Sequence, residues 1–159
     1  MRSRESRDVE QQKRVLVVDD DHEIRNLLSG AFTQYGLSVD TAADGAAAID
    51  LISQTPYCVI VLDLVMPGVD GFSVLNHVRT RTEETQPVVI VITGAEEPIV
   101  AALDARLVHG IMRKPFDVQE VTNIVAACAE IRTRSTFDKM ALAALFAAPP
   151  LMAWLSRLQ

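Results

Sequence analysis

The sequence predicts an α/β protein: a five-stranded parallel sheet, doubly wound, with helices on both faces. Three observations carry that reading. Short runs of aliphatic and β-branched residues are too brief for helices and too uniformly apolar for strands with a wet face. Each run is followed by a stretch with apolar residues at helical spacing, the alternation that builds a parallel sheet. The residues with chemistry to offer fall just after the runs, where open α/β sheets place their sites.

The elements follow in order. Residues 15–18 (VLVV) form the first strand. Asp21 caps a helix carrying Ile24, Leu27, Leu28, Ala31 and Tyr35, and Gly36 stops it. Residues 37–41 make a weaker strand. Asp44 caps a second helix with Ala48, Ile49 and Ile52, which ends before Pro56. Residues 59–62 (VIVL) are a buried strand, and Phe72, Leu75 and Val78 mark the third helix. Residues 88–92 (VVIVI) are another buried strand. Ile99, Ala102 and Leu103 mark the fourth helix, with Pro98 in its first turn. Residues 110–112 are a weaker fifth strand, and Asp117 caps a last helix with Val121, Ile124, Val125, Cys128 and Ile131. The chain divides into a flexible lead (1–13), one domain (14–134) and a hydrophobic helical tail (135–159).

Composition narrows the function. Of 159 residues, 49% are hydrophobic and 23% charged, as in a soluble globular domain. A net charge of −6 argues against general nucleic-acid binding. Cys58 and Cys128 sit in apolar surroundings without CxxC spacing, and read as two buried thiols in a reducing, cytoplasmic compartment. The N-terminus lacks the apolar stretch of a signal peptide.

The stretch RVLVVDDD poses the central question, since a buried strand runs straight into Asp19, Asp20 and Asp21. Two unit charges about 4 Å apart repel by about 4 kcal/mol at an effective dielectric near 20. Something positive is expected there. The other strand ends supply partners: Asp63 after the third, Thr93 and Gly94 after the fourth, Lys114 and Pro115 after the fifth. Clustered carboxylates without His or Cys suit a hard divalent cation, Mg²⁺ first, which would let Asp19 and Asp20 stay ionised. Asp63, alone at its strand end, is then the natural nucleophile toward a phosphoryl group. Lys114 offers charge and Thr93 a hydroxyl to that group's oxygens, and Gly94 permits close backbone approach. Asp21 and Glu23 read as loop and cap residues. His22, His77 and His109 share no spacing and read as surface or loop residues. Met66 reads as packing, and Arg113 as solvated or partner-facing.

The pieces VLVVDDD, LDLVMPGVDG, VITG and KPF, in this order and spacing, resemble the receiver domain of bacterial two-component response regulators over roughly 14–132. The resemblance implies a flavodoxin-like (βα)5 fold and a phosphoacceptor at Asp63. It implies Mg²⁺ held directly by Asp20 and Asp63, through water by Asp19, and by the main-chain carbonyl of Val65. Thr93 would turn toward the phosphoryl group and Lys114 would pair with it. Met66, Pro67 and Gly68 would shape the loop behind the acceptor, and Gly71 would open the third helix. The donor would be a sensor histidine kinase or a histidine phosphotransfer protein. The output would be a changed contact with a downstream protein on the face of the fourth helix, fifth strand and fifth helix.

The sequence also departs from that family. Ile111 stands where an aromatic residue usually couples to the threonine, and Leu107-Val108 replace a usual Gly-Ala pair. Val65 and Ala95, each two residues beyond a key position, cannot hold a hydrolytic water, so slow loss of the phosphoryl group is expected.

Three other readings compete. A haloacid-dehalogenase-type phosphatase would use Asp19 as nucleophile within Asp19-Asp20-Asp21, but would want a further acidic pair after the lysine. A degenerate receiver would not need the complete acidic, threonine and lysine set. A phosphate shuttle or sink within a relay is the rival inside the same class. The tail is uncharged over 140–156 and broken by Pro149-Pro150. It is too short for a DNA-reading output domain, so direct DNA binding is not expected, and short of the ~20 residues of a membrane span. Packing against the domain, self-association as a homodimer or docking to a partner are preferred for it over membrane contact.

Overall fold

The computed structural model describes residues 13–82 and 84–134. The lead up to residue 12 and the tail 135–159 lie outside them, as do the expectations attached to those segments. Strands β1 (Arg14–Val18), β2 (Ser38–Ala42), β3 (Val59–Leu62), β4 (Val88–Thr93) and β5 (Gly110–Arg113) alternate with helices α1 (His22–Gln34), α2 (Gly45–Gln54), α3 (Gly71–Arg79), α4 (Glu97–Ala101) and α5 (Val118–Arg134). All pairings are parallel, in the order β2-β1-β3-β4-β5.

The side-chain period of two divides each strand between two cores. Val15, Val17, Val59, Val61 and Ile90 face one side, against Leu28 and Phe32 of α1 and Val121, Val125 and Cys128 of α5. Leu16, Val18, Ile60, Leu62 and Val91 face the other, against Ala48 and Ile52 of α2 and Val74, Leu75 and Val78 of α3. Burying each such side chain contributes about 1.5–3 kcal/mol, which is why the central strands carry no polar residue before their ends. Both cysteines are free and buried, and burial raises their thiol pKa values to about 11 for Cys58 and about 12 for Cys128.

Aspartates start four of the helices. Asp21, Asp44, Asp70 and Asp117 accept the backbone N–H of Glu23, Ala47, Ser73 and Glu120 respectively, satisfying donors that a helix start leaves open. The Asp70 cap was not foreseen. α4 differs: Glu96 makes no side-chain cap bond, and the helix is only 5 residues long. The expected apolar stripe through Ala102 and Leu103 therefore overruns it; Ala102 is the C-cap and Leu103 follows in a bend. β2 lies one residue later than 37–41, because Leu37 turns into the core after Gly36, whose φ of 90° suits glycine.

His109 completes the sheet in place of a backbone group. Its N–H donates to the Val89 carbonyl, and its Nδ1 accepts the Val89 N–H at 3.1 Å. The ring is thus neutral with its proton on Nε2. Burial, aided by the Arg132 charge, pushes its pKa below the usual 6.5. A base held down in the folded state gives stability that is full above its ordinary pKa. That stability is lost as pH falls through 6.5 toward the lower folded value. Urea unfolding at several pH values should show this acid-side loss. His109→Phe should remove the slope and cost about 1–3 kcal/mol at neutral pH by stranding the Val89 N–H.

Candidate functional site

Strand register assembles the site. Val18 pairs with Leu62, so Asp19 and Asp63 emerge side by side at the carboxyl ends of β1 and β3. The order of the sheet reverses at β1, and such a switch point is where an open α/β sheet forms its crevice. One strand over, Thr93 pairs with Arg113, which sets Lys114 just beyond it. The backbone N–H of Lys114 donates to the Thr93 carbonyl at 3.1 Å.

Lys114 reaches across these ends. Its Nζ donates to Asp19 Oδ2 at 2.7 Å and to Asp63 Oδ2 at 3.0 Å. Both aspartates are buried, while Asp20 is exposed at the rim. Ligand atoms of Asp19, Asp20 and Asp63 all lie within 4.8 Å of one another. Three carboxylates and one ammonium leave two negative charges in the cup. All the donors are hard carboxylate oxygens, and an exposed rim leaves room for water ligands. That donor set fits a hard divalent cation.

Electrostatics mark the cup as under tension. Burial raises the pKa of Asp19 above the ordinary carboxylate value and the neighbouring Asp63 charge adds to this, while Lys114 and the Asp21 N–H oppose it. Burial would lower the pKa of Lys114, but its bonds and charge attraction to Asp19 and Asp63 outweigh that and raise it.

The remaining expected residues flank the cup. Val65 is exposed, and its N–H donates to Asp63 Oδ1 at 3.3 Å. Thr93 is fully buried, and its Oγ1 accepts the Ala95 N–H at 3.1 Å. Met66 packs in the core of the α2/α3 face, as expected. Gly71 opens α3 hard against the loop that follows β3: its N–H donates to the Leu64 carbonyl at 3.1 Å, and a Cβ there would stand 2.5 Å from the Asp63 carbonyl oxygen. Asp21 is a cap and not part of the cup. His22 begins α1, and His77 meets Ser53 at 3.2 Å; neither approaches the cup.

Two arginines make bonds that the sequence reading does not include. Arg113, expected to face solvent or a partner, is engaged within the fold by the Ala95 carbonyl and by Glu97 Oε2, the latter at 2.6 Å. Arg25 donates to the carbonyls of Asp19 and Asp20 at 2.6 and 3.0 Å, pinning the β1–α1 loop. Its place one turn beyond Asp21 was the available signal.

Residues 15–126 match the family model described as "Response regulator receiver domain". Transcriptional regulatory protein TcrA of Mycobacterium tuberculosis is 35% identical over 108 residues, 68% of this chain and 42% of that protein. Response regulator MprA of Mycolicibacterium vanbaalenii is 35% identical over 125 residues, 79% of this chain and 52% of that protein. The chain thus spans about half the length of these relatives. Among solved structures, the receiver domain of Francisella response regulator 1452 aligns with a TM-score of 0.65 at 31% identity, covering 74% of this chain and 97% of that one. Response regulator TrrA of Thermotoga maritima, solved in complex with Mg(2+)-BeF, aligns with a TM-score of 0.64 at 28% identity, covering 73% and 98%.

Proposed function

The chain belongs to the family of response regulator receiver domains, and from that premise we propose that it is a Mg²⁺-dependent phosphorylation switch with Asp63 as acceptor. The family match sets aside the haloacid-dehalogenase reading with Asp19 as nucleophile. The observation that carries the proposal is the Lys114 ammonium bound at once to Asp19 and Asp63, residues 95 and 51 positions away in sequence.

Asp19, Asp20 and Asp63, with the main-chain carbonyl of Val65, would hold the Mg²⁺. When bound, the ion offsets the charge of the carboxylates and of the incoming phosphoryl oxygens. One Asp63 oxygen attacks the phosphorus of a phosphohistidine: an O–P bond forms, the N–P bond breaks, and the histidine nitrogen keeps its electron pair. Lys114 then pairs with a phosphoryl oxygen in place of the Asp63 carboxylate oxygen it now holds. Thr93, once its hydroxyl leaves the Ala95 N–H, donates to another. The donor is a sensor histidine kinase or a histidine phosphotransfer protein, and the readout is a changed contact with a downstream protein in the cytoplasm. In this reading the domain is a signalling element whose only chemistry is its own phosphorylation and slow dephosphorylation.

The test is labelling with a small phosphoryl donor such as acetyl phosphate, with and without Mg²⁺. One phosphoryl group per chain, gained only with Mg²⁺, is expected. Val65 and the buried Ala95 offer no polar side chain to hold an attacking water. The phosphoprotein, freed of donor, should therefore last minutes or longer. Incorporation without Mg²⁺, or a half-life of seconds, would count against the reading.

A further inference from the structure

Receiver function requires that a change at Asp63 be felt elsewhere, and the usual aromatic relay is missing. Ile111 is half-buried and packs into the α2/α3-side core, with no polar tip to follow a hydroxyl. Another side chain on the same strand occupies the path. The Ala95 residue is gripped on both sides of its Cα: its N–H is accepted by Thr93 Oγ1 at 3.1 Å, and its carbonyl, in the next peptide, accepts from Arg113. The same guanidinium donates to Glu97 Oε2 at 2.6 Å, in the first turn of α4.

We propose that Arg113 is a positioning residue that carries the state of Thr93 to the start of α4, through its joint hold on the Ala95 carbonyl and Glu97. This rests on the phosphoacceptor reading of Asp63. In the resting arrangement Thr93 fixes the peptide before the Ala95 Cα and Arg113 holds the peptide after it, so the two bonds together pin the Ala95 backbone. When Thr93 turns to a phosphoryl oxygen, that N–H, in the Gly94–Ala95 peptide, is released, and the backbone torsions of Ala95 that link it to the carbonyl held by Arg113 are free to change. Arg113 loses one of its two anchors, and Glu97 moves with the guanidinium.

The recipient is suited to being moved. α4 is a single short segment whose N-cap, Glu96, makes no side-chain bond, unlike the aspartate-capped starts of α1, α2, α3 and α5. The Arg113–Glu97 pair thus supplies a tether that the other helices obtain from a cap. A planar guanidinium with several donors can hold a carbonyl and a carboxylate together, which an ammonium on a flexible stem does less well.

Amide NMR of the full chain, titrated with beryllofluoride and Mg²⁺, tests this. In the wild type, amides of residues 63–65 and of 95–101, Pro98 excepted, should both shift. In Arg113→Ala the shifts at 63–65 should persist while those at 97–101 fall at least fivefold. Glu97→Gln, which keeps the shape and removes one anchor, should weaken them in the same direction. A merely structural role would change stability without selectively removing the state-dependent shift. Full wild-type shifts at 97–101 in both variants would overturn the proposal and leave the Asp63 reading intact. A wild type silent at 63–65 would overturn the Asp63 reading, and this proposal with it.

Discussion

Asp63→Asn is expected to abolish phosphoryl incorporation while leaving the fold intact. The amide keeps the size of the carboxylate, but its oxygen is a poor nucleophile toward phosphorus. The fold should tolerate the change because Asp63 adds charge to a cup already crowded with it. Removing one of three carboxylates leaves Asp19 still bonded to Lys114. Thermal unfolding in Mg²⁺-free buffer should therefore show a variant at least as stable as the wild type. Labelling with acetyl phosphate and Mg²⁺, read as intact mass, checks the chemical half. Retained incorporation of a phosphoryl group would show that the nucleophile lies elsewhere, Asp19 being the obvious alternative.

Lys114→Met carries the second large effect, on stability more than on chemistry. Among the described residues Lys114 is the cation within bonding distance of both buried carboxylates, and its side chain is 24% exposed. Taking one partner from a buried ion pair costs about 3–5 kcal/mol when burial is complete. For this partly exposed lysine we expect a loss of about 2–3 kcal/mol in Mg²⁺-free solution. Asp19, whose pKa burial already raises, should escape part of the strain by taking up a proton. Mg²⁺ should restore much of the loss, because a ligand that binds the folded state stabilises it by RT ln(1 + [L]/Kd). Denaturant titrations across a Mg²⁺ series would show the two proteins converging as the ion is added. Equal Mg²⁺-free stabilities would mean that Lys114 does not balance the cup.

Much of this was legible in the sequence because the sheet is buried on both faces. A strand such as 59–62 must be apolar throughout, and its first polar residue, Asp63, therefore announces the strand end and the site together. Three aspartate caps were legible, at Asp21, Asp44 and Asp117, whereas the equivalent cap at Asp70 was not. α4 was overextended because Ala102 and Leu103 kept a helical period without a cap to define the element. Contacts between side chains and distant backbone were the hardest to foresee. Nothing in the local pattern around Arg113 tells that β5 runs beside β4 in a register that brings it over Ala95. The same holds for His109, whose imidazole substitutes for a backbone acceptor only because β4 passes beside it. Arg25 differs: its place one turn beyond Asp21 is a weak signal, because an arginine on a helix is so often solvated that spacing alone does not announce a hold on the Asp19 carbonyl.

The central claim is that register, carboxylate crowding and one lysine make a single aspartate the phosphoryl acceptor. Borohydride trapping tests it most directly. The wild-type protein is phosphorylated with Mg²⁺, its acyl phosphate is reduced to the alcohol, and the digested peptides are sequenced by mass spectrometry. The account predicts conversion at position 63, dependent on Mg²⁺. Conversion at Asp19 or Asp20, or none at any carboxylate while label is retained, would contradict it.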